Sequence, residues 1–293
     1  MAEIPEDEYL LKCTTACAGC SAALALRYVL KAAGPDTVLV VPACCTSVLQ
    51  GIYPNTAFAV PVYNIAFAAA AACASGMSEA FASEGKKTNV IVFAGDGGTV
   101  DIGIQALSGA LERGTNFLYI CYDNEAYGNT GMQRSGATPI GARTTTTPGG
   151  KTDTKKDIDR IIAAHNIPYQ ATASAAHPKD LFEKVKTALA TPGPSFIHIL
   201  VPCPPGWRIP SDMPVTVGKM AVKTGMWVLW ERKYGELTIN GASKAAMRKR
   251  LPLKEYISLQ GRFKGITEKQ VNELEQQVEK NLARLAKEEA GEC

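Results

Sequence analysis

The segment from Asn89 to Ser135 constrains the fold more than any other part of the chain. It begins with an apolar run, 90–94, whose β-branched residues predict a buried strand, and this run stops at a Gly-Asp-Gly-Gly turn. Apolar residues at helical spacing follow, and a second apolar run, 117–122, ends in Asp123 and Asn124. A strand, turn, helix and second strand form a parallel crossover, which brings both polar turns to one edge of a sheet.

The residue types at this edge indicate a site for a phosphorylated ligand and a magnesium ion. The glycines allow close backbone approach, and amides at a helix N-terminus attract a phosphate. Asp96 would repel that phosphate unless a divalent cation lay between them, and Mg2+ is commonly held by carboxylates together with phosphate oxygens. The Gly-Asp-Gly-Gly turn alone is also typical of a plain βα connection, but its pairing with Asn124 favours the metal site. The candidate residues are Gly95, Asp96, Gly97, Gly98, Asn124 and the carbonyl of Ala126.

A second group of candidate ligands consists of cysteines. A CxxC pair lies near the start, a Cys-Cys pair follows the predicted strand 37–41, and a further cysteine follows the predicted strand 196–201. Convergent thiolates suit either a structural zinc ion or an iron-sulfur cluster, and the residues alone leave both open. The candidates are Cys17, Cys20, either Cys44 or Cys45, and Cys203.

Composition and charge exclude several other classes of protein. The 293 residues are 46% hydrophobic and 20% charged, which is ordinary for a folded globular chain. A net charge of +3 is too small to indicate nucleic-acid binding. The acidic N-terminus lacks signal-peptide features and no apolar run reaches membrane-spanning length, so we expect a cytoplasmic protein without a membrane partner. Nine cysteines in such a protein indicate metal or redox chemistry rather than disulfides.

The rest of the chain predicts an α/β fold with a doubly wound parallel sheet. Residues 1–203 form the predicted sheet domain and 204–293 a C-terminal extension, in which GELTING resembles a hairpin and Thr267 begins a long helix with a narrow apolar stripe. The three histidines lack a neighbouring nucleophile, and we interpret them as structural. Predicted helices cover 22–33, 64–84, 156–166 and 179–190, and further strands cover 169–173 and 196–201.

The stretch GDGG…YDNEAYGNTGMQRSGATP resembles the thiamine diphosphate motif of 2-oxoacid:ferredoxin oxidoreductases, in the β subunit of the multi-subunit enzymes. PCPPGW and LQGRFK extend the resemblance over most of the chain. It implies that Asp96, Asn124 and the Ala126 carbonyl hold the Mg2+ of thiamine diphosphate, and that Asn129 lies close to the reacting thiazolium and the substrate. It also implies one 4Fe-4S cluster, while an exchange of Cys44 for Cys45 stays open. The implied cluster ligands are Cys17, Cys20, Cys45 and Cys203.

The resemblance implies oxidative decarboxylation of a 2-oxoacid, preferably pyruvate, to an acyl-coenzyme A and CO2. Ferredoxin or another acceptor would take the electrons. A partner subunit would supply the glutamate that faces the aminopyrimidine, so we expect the chain to be inactive alone, with its interface covering the 64–84 helix and the C-terminal arm.

Other functions stay open at this point. Residues 64–69 lack the His and the Glu-Asn pair of many relatives, which leaves oxalate, branched-chain and aromatic 2-oxoacids as alternative substrates. A non-redox thiamine decarboxylase with a structural zinc is a second alternative. A zinc-stabilised interaction protein, in which the glycine motif is only a turn, is a third.

Overall fold

The structure is a computed structural model that describes residues 3–292. Its described residues contain one sheet of eight strands. Cys293, for which we expect no function, lies outside this range. The strands are β1 (Thr37–Pro42), β2 (Val62–Ile65), β3 (Asn89–Gly95), β4 (Leu118–Asp123), β5 (Tyr169–Ser174), β6 (Ser195–Leu200), β7 (Trp230–Lys233) and β8 (Glu236–Ile239).

The order of the strands confirms the predicted architecture. The sheet runs β2-β1-β3-β4-β6-β5-β7-β8. All pairs among β1 to β6 are parallel, whereas β7 pairs antiparallel with β5 and with β8. The result is a doubly wound parallel sheet with a C-terminal extension that adds the predicted hairpin to its edge. The carboxyl ends of β1, β3, β4 and β6 therefore lie along one edge.

Helices cover both faces of this sheet because side chains alternate along each strand. Ile91 and Phe93 of β3 belong to a core with the first and sixth helices, while Val90 and Val92 belong to a core with the third and fourth. The helices are α1 (Ser21–Ala33), α2 (Cys45–Leu49), α3 (Ala70–Ser83), α4 (Ile104–Glu112), α5 (Ile158–Ala163), α6 (Pro178–Ala190), α7 (Pro204–Trp207), α8 (Pro214–Lys223), α9 (Gly241–Arg248), α10 (Leu253–Ser258) and α11 (Glu268–Ala290).

Two helix predictions were wrong at their ends. The helix predicted over 64–84 begins only at Ala70, because Val62–Ile65 pairs with β1 as an edge strand. The helix predicted over 156–166 is shorter, because the side chain of Asp157 caps α5 by accepting a hydrogen bond from the backbone N–H of Arg160. The sequence after residue 203 shows little periodicity, yet it contains α7 to α10.

The C-terminal helix α11 packs on its own chain. Thr267 and Gln270 form the predicted capping box, in which each side chain bonds to the other's backbone N–H. Leu274, Val278 and Leu285 of the apolar stripe are buried. These residues of the stripe thus pack on their own chain, and the partner interface expected over the C-terminal arm stays a prediction. Among residues 3–292 no helix is long and apolar enough to cross a membrane.

Candidate functional site

The turn after β3 is shaped by glycines that neighbouring aromatic rings require. Asp96 follows β3 directly, and a π-helical turn, Gly97–Asp101, leads toward α4. A Cβ atom at Gly97 would lie 2.5 Å from the ring of Tyr127, and one at Gly98 would lie 3.0 Å from the ring of Phe67. The first distance is shorter than a Cβ contact allows and the second is tighter than an ordinary contact, so these glycines let the turn and the aromatic residues approach each other.

Asp96 is a buried carboxylate with one satisfied oxygen. The hydroxyl of Ser135 donates to its Oδ2 at 2.5 Å. Its Oδ1 has no hydrogen-bond partner within the described part of the chain. Burial, and then the charge of Asp123, raise the pKa of Asp96 well above its usual range. A divalent cation would offset both penalties, so Asp96 fits the role of a magnesium ligand.

The turn after β4 carries Asn124 and is held by several hydrogen bonds. The N–H of Glu125 donates to Asp123 Oδ1 at 2.7 Å, and the N–H of Ala126 donates to Asn124 Oδ1 at 3.2 Å. The carbonyl of Asn124 accepts the indole N–H of Trp207 at 2.7 Å. Two acceptors of the turn keep capacity for a ligand. They are the second lone pair of Asn124 Oδ1 and the carbonyl of Ala126, which accepts no hydrogen bond from residues 3–292.

A short hydroxyl relay links the two turns. Ser135 Oγ, bonded to Asp96, lies 3.4 Å from the hydroxyl of Thr138. Thr138 in turn donates to the carbonyl of Glu125 at 2.6 Å. These contacts connect the two buried turns that carry the oxygens of Asp96, Asn124 and Ala126. Hard oxygen ligands of this kind suit Mg2+.

The four predicted cysteine ligands line one cavity of about 170 Å³ at the same edge of the sheet. Asn124, Asn129 and Met132 line the same cavity. Cys44 does not line it, because it is buried in the core beside the hydroxyl of Tyr122. The cysteines that line the cavity are Cys17, Cys20, Cys45 and Cys203.

The four thiols are soft ligands of the kind that zinc and iron-sulfur clusters both use. In the described range no three His, Cys, Asp or Glu side chains converge closely enough to hold a single metal ion. A zinc ion would need its sulfur ligands at about 2.3 Å from one point. Burial raises the pKa of Cys45 to about 12 and that of Cys203 to about 11. Metal binding at these residues must therefore release protons.

Two glycines set how closely the cysteines approach their surroundings. Gly19, between the cysteines of the CxxC pair, has a φ of +73°, and a Cβ atom there would lie 1.9 Å from the carbonyl oxygen of Ser211. A Cβ atom at Gly128 would lie 3.0 Å from Asn124 Nδ2 and 3.3 Å from Cys45 Sγ. The turn that carries Asn124 and the cysteine cavity are thus separated at this point by a single glycine.

His198 supports the end of β4. Its Nε2 lies 3.0 Å from Asp123 Oδ2 and its Nδ1 lies 3.1 Å from Asp159 Oδ1. Burial alone would lower the pKa of His198, but the charge of Asp159 and the hydrogen bonds to both carboxylates raise it well above the usual range. The ring thus lies between two carboxylates and anchors the residue preceding Asn124.

Sequence reasoning missed several residues that contact the site. Ser135 and Thr138 lie in the quoted motif, but their bonds to Asp96 and Glu125 depend on how the following loop folds back. Trp207 and Arg262 lie in PCPPGW and LQGRFK. Both segments carry the family resemblance although they lie far from the glycine motif in the sequence. That resemblance was the signal that could have indicated Trp207 and Arg262.

Comparison with protein families defines the class of this chain. The model of the thiamine pyrophosphate enzyme C-terminal TPP-binding domain matches residues 43–199. Asp96, Asn124 and Cys45 lie within that range. The fold and the two polar turns therefore belong to a thiamine diphosphate-binding domain.

Curated relatives narrow the family. Pyruvate synthase subunit PorB of Methanothermobacter thermautotrophicus is 46% identical, over 94% of this chain and 97% of its own length. Ketoisovalerate oxidoreductase subunit VorB of Pyrococcus abyssi is also 46% identical, over 97% of this chain and 94% of its own. The chain belongs to the family of thiamine diphosphate-binding 2-oxoacid:ferredoxin oxidoreductase subunits, oxidoreductases that work as complexes.

A solved structure agrees with this fold. The 2-oxoglutarate:ferredoxin oxidoreductase from Magnetococcus marinus superposes with a TM-score of 0.60 at 23% identity. The match covers 72% of this chain and 76% of that chain.

Proposed function

We propose that this chain is the thiamine diphosphate and 4Fe-4S subunit of an oxidoreductase that converts pyruvate and coenzyme A to acetyl-coenzyme A and CO2. The observation that carries the proposal is the cysteine cavity, which includes Asn124 and Asn129 in its wall. When bound, thiamine diphosphate supplies the carbon nucleophile and electron sink for decarboxylation, and an iron-sulfur cluster takes up the electrons.

We assign the cofactor roles residue by residue. Asp96, Asn124 and the carbonyl of Ala126 hold Mg2+, an assignment supported by their unused acceptor capacity. Asn129 is the proposed catalytic residue, an assignment supported by its exposed position in the cavity wall. The glycines of the motif, Gly95, Gly97 and Gly98, allow the diphosphate to approach the backbone.

The proposed cluster ligands are the four cysteines of the cavity. Cys45 is preferred over Cys44 because the Cys44 thiol is buried in the core. The electrons leave to ferredoxin or another acceptor. We also propose that the protein is cytoplasmic. The chain would divide into a cofactor-binding domain, 1–203, and a C-terminal extension, 204–293.

Catalysis requires a partner subunit. Thiamine enzymes place a glutamate against the aminopyrimidine, and we propose that another chain carries it. Ile52 and Tyr53 are 84% and 94% exposed, and Val48, in the cavity wall, is 45% exposed. Exposed apolar residues beside a site suit a subunit interface better than they suit contact with water.

One alternative substrate has specific support. The ketoisovalerate relative is as similar as the pyruvate relative, at 46% identity each. A branched-chain 2-oxoacid is therefore the second candidate.

The experiment is a turnover assay of the purified complex with a panel of 2-oxoacids and an artificial electron acceptor. We expect coenzyme A-dependent oxidation of pyruvate, and no turnover by the reconstituted chain alone. Preference for 2-ketoisovalerate would support the second candidate. Turnover without any partner subunit would contradict the proposed assembly.

A further inference from the structure

The segment that follows the matched domain returns to the turn that carries Asn124. Trp207 and Arg262 both lie outside residues 43–199. The indole N–H of Trp207 donates to the Asn124 carbonyl at 2.7 Å, and the guanidinium carbon of Arg262 lies 3.7 Å from the centroid of the Trp207 ring. A guanidinium nitrogen of Arg262 lies 2.6 Å from Glu125 Oε2. The C-terminal extension thus contacts two consecutive residues of the turn.

Glu125 has a backbone conformation that needs support. Its φ is +61°, in the left-handed region that non-glycine residues rarely adopt. Such residues persist only where surrounding contacts hold them, and they are common at functional sites. The N–H of Glu125 is held by Asp123 and its carbonyl by Thr138. Its carboxylate, 1% exposed, forms an ion pair with Arg262, in which neither Glu125 Oε2 nor the guanidinium nitrogen next to it makes a hydrogen bond within residues 3–292.

Among residues 3–292, no cation other than Arg262 lies within hydrogen-bonding distance of the Glu125 carboxylate. The side chains of Glu125 and Arg262 are 1% and 3% exposed. The next cation, Lys155, lies 3.9 Å from Glu125 Oε1, beyond hydrogen-bonding distance. Arg262 is itself fixed, because its Nε donates to Gln260 Oε1 at 2.9 Å. A planar guanidinium can stack on Trp207 and pair with Glu125 at once, which an ammonium group does not do.

We propose that Arg262 is a positioning residue for the metal-binding turn. By pairing with Glu125 and stacking on Trp207, it keeps the turn in the conformation that directs the Asn124 amide and the Ala126 carbonyl toward Asp96. The C-terminal extension is in this way a structural part of the cofactor site. The inference rests on the proposed magnesium and thiamine diphosphate site.

The test measures Mn2+ binding by the full chain in its purified complex, with and without thiamine diphosphate, from the electron paramagnetic resonance signal of free Mn2+. Arg262→Met should weaken Mn2+ binding about 10- to 100-fold, the usual range for groups that orient metal ligands. Arg262→Lys should bind with intermediate affinity. Arg250→Met is the matched control, because Arg250 pairs with Glu275 in the same extension and does not contact the turn. It should bind Mn2+ as the wild type does.

Wild-type Mn2+ affinity in a folded Arg262→Met protein would overturn the proposal. If that variant does not fold, the double variant Glu125→Gln/Arg262→Met decides, since it removes both charges of the buried pair together. It should melt near the wild type and bind Mn2+ weakly, and wild-type affinity would again overturn the proposal. If neither the single nor the double variant folds, Mn2+ binding by Arg262→Lys is measured instead. Wild-type affinity in that variant would overturn the proposal. A wild-type complex that binds neither Mn2+ nor thiamine diphosphate would instead contradict the proposed function.

Discussion

Removing the Ser135 hydroxyl is a direct test of how Asp96 is prepared for a metal ion. Ser135 donates to Asp96 Oδ2 at 2.5 Å, and both side chains are buried. Ser135→Ala would leave neither oxygen of the carboxylate with a hydrogen-bond donor among residues 3–292. The bond opposes the burial that raises the pKa of Asp96, so its loss raises that pKa further. Mg2+ would then compete with a proton for the carboxylate.

The size of the effect follows from the strength of the bond. A hydrogen bond to a charged group contributes about 1.5 to 3 kcal/mol. At about 1.4 kcal/mol per tenfold change in affinity, Ser135→Ala should weaken Mn2+ binding about 10- to 100-fold. The loss should be larger at mildly acidic pH than at neutral pH, because protonation of Asp96 competes more strongly there.

The assay is a titration with Mn2+ in the presence of thiamine diphosphate at both pH values. Ser108→Ala is the matched control, because it loses a 2.8 Å contact with His165 away from the site. That variant should keep wild-type affinity. Unchanged Mn2+ affinity in Ser135→Ala at both pH values would refute the role given to the Ser135 bond.

Three further predictions follow from individual residues. Asp96→Ala should abolish binding of Mn2+ with thiamine diphosphate, whereas Asn129→Ala should retain that binding and lower kcat. An unchanged calorimetric affinity of Asp96→Ala for Mn2+ with thiamine diphosphate would contradict the metal assignment. Gly128→Ala should weaken both cofactors, because its methyl group would meet an amide nitrogen at 3.0 Å and a thiol at 3.3 Å; iron content and Mn2+ affinity that both stay at wild-type levels would contradict this. Burial lowers the pKa of Lys151 to about 8, so the unfolded chain, with a pKa near 10.5, binds the proton more tightly between these pH values. The free energy of unfolding of the wild type should therefore rise with pH across that window relative to Lys151→Met. The same pH dependence of the free energy of unfolding in both proteins would contradict the lowered pKa of Lys151.

Much of the fold was predictable because apolar runs and turns agree along the chain. The strands that end at Gly95 and Asp123 were recognisable from their composition, and so was the edge at which they meet. The capping box at Thr267 specified the start of α11 within one residue. Propensity was misleading at Asn64, because pairing with β1 outweighs the helical character of the alanines that follow.

The polar contacts of the site were less accessible to sequence reasoning. Spacing along strands predicts which residues reach an edge, as it did for Asn124 and Cys203, but it does not specify side-chain partners. The pairing of Glu125 with Arg262 joins residues far apart in the chain, and it depends on a left-handed backbone conformation that no propensity predicts for glutamate. The choice between Cys44 and Cys45 likewise depends on which thiol is directed into the core.

The most direct test of the central claim is an iron and acid-labile sulfide analysis of anaerobically purified protein, with its visible absorption spectrum. The account predicts about four iron atoms per chain and broad visible absorption in the wild type. Both should be retained in Cys44→Ser and lost in Cys45→Ser. A colourless wild-type protein that contains zinc, or one that contains no metal, would contradict an iron-sulfur cluster beside the thiamine site.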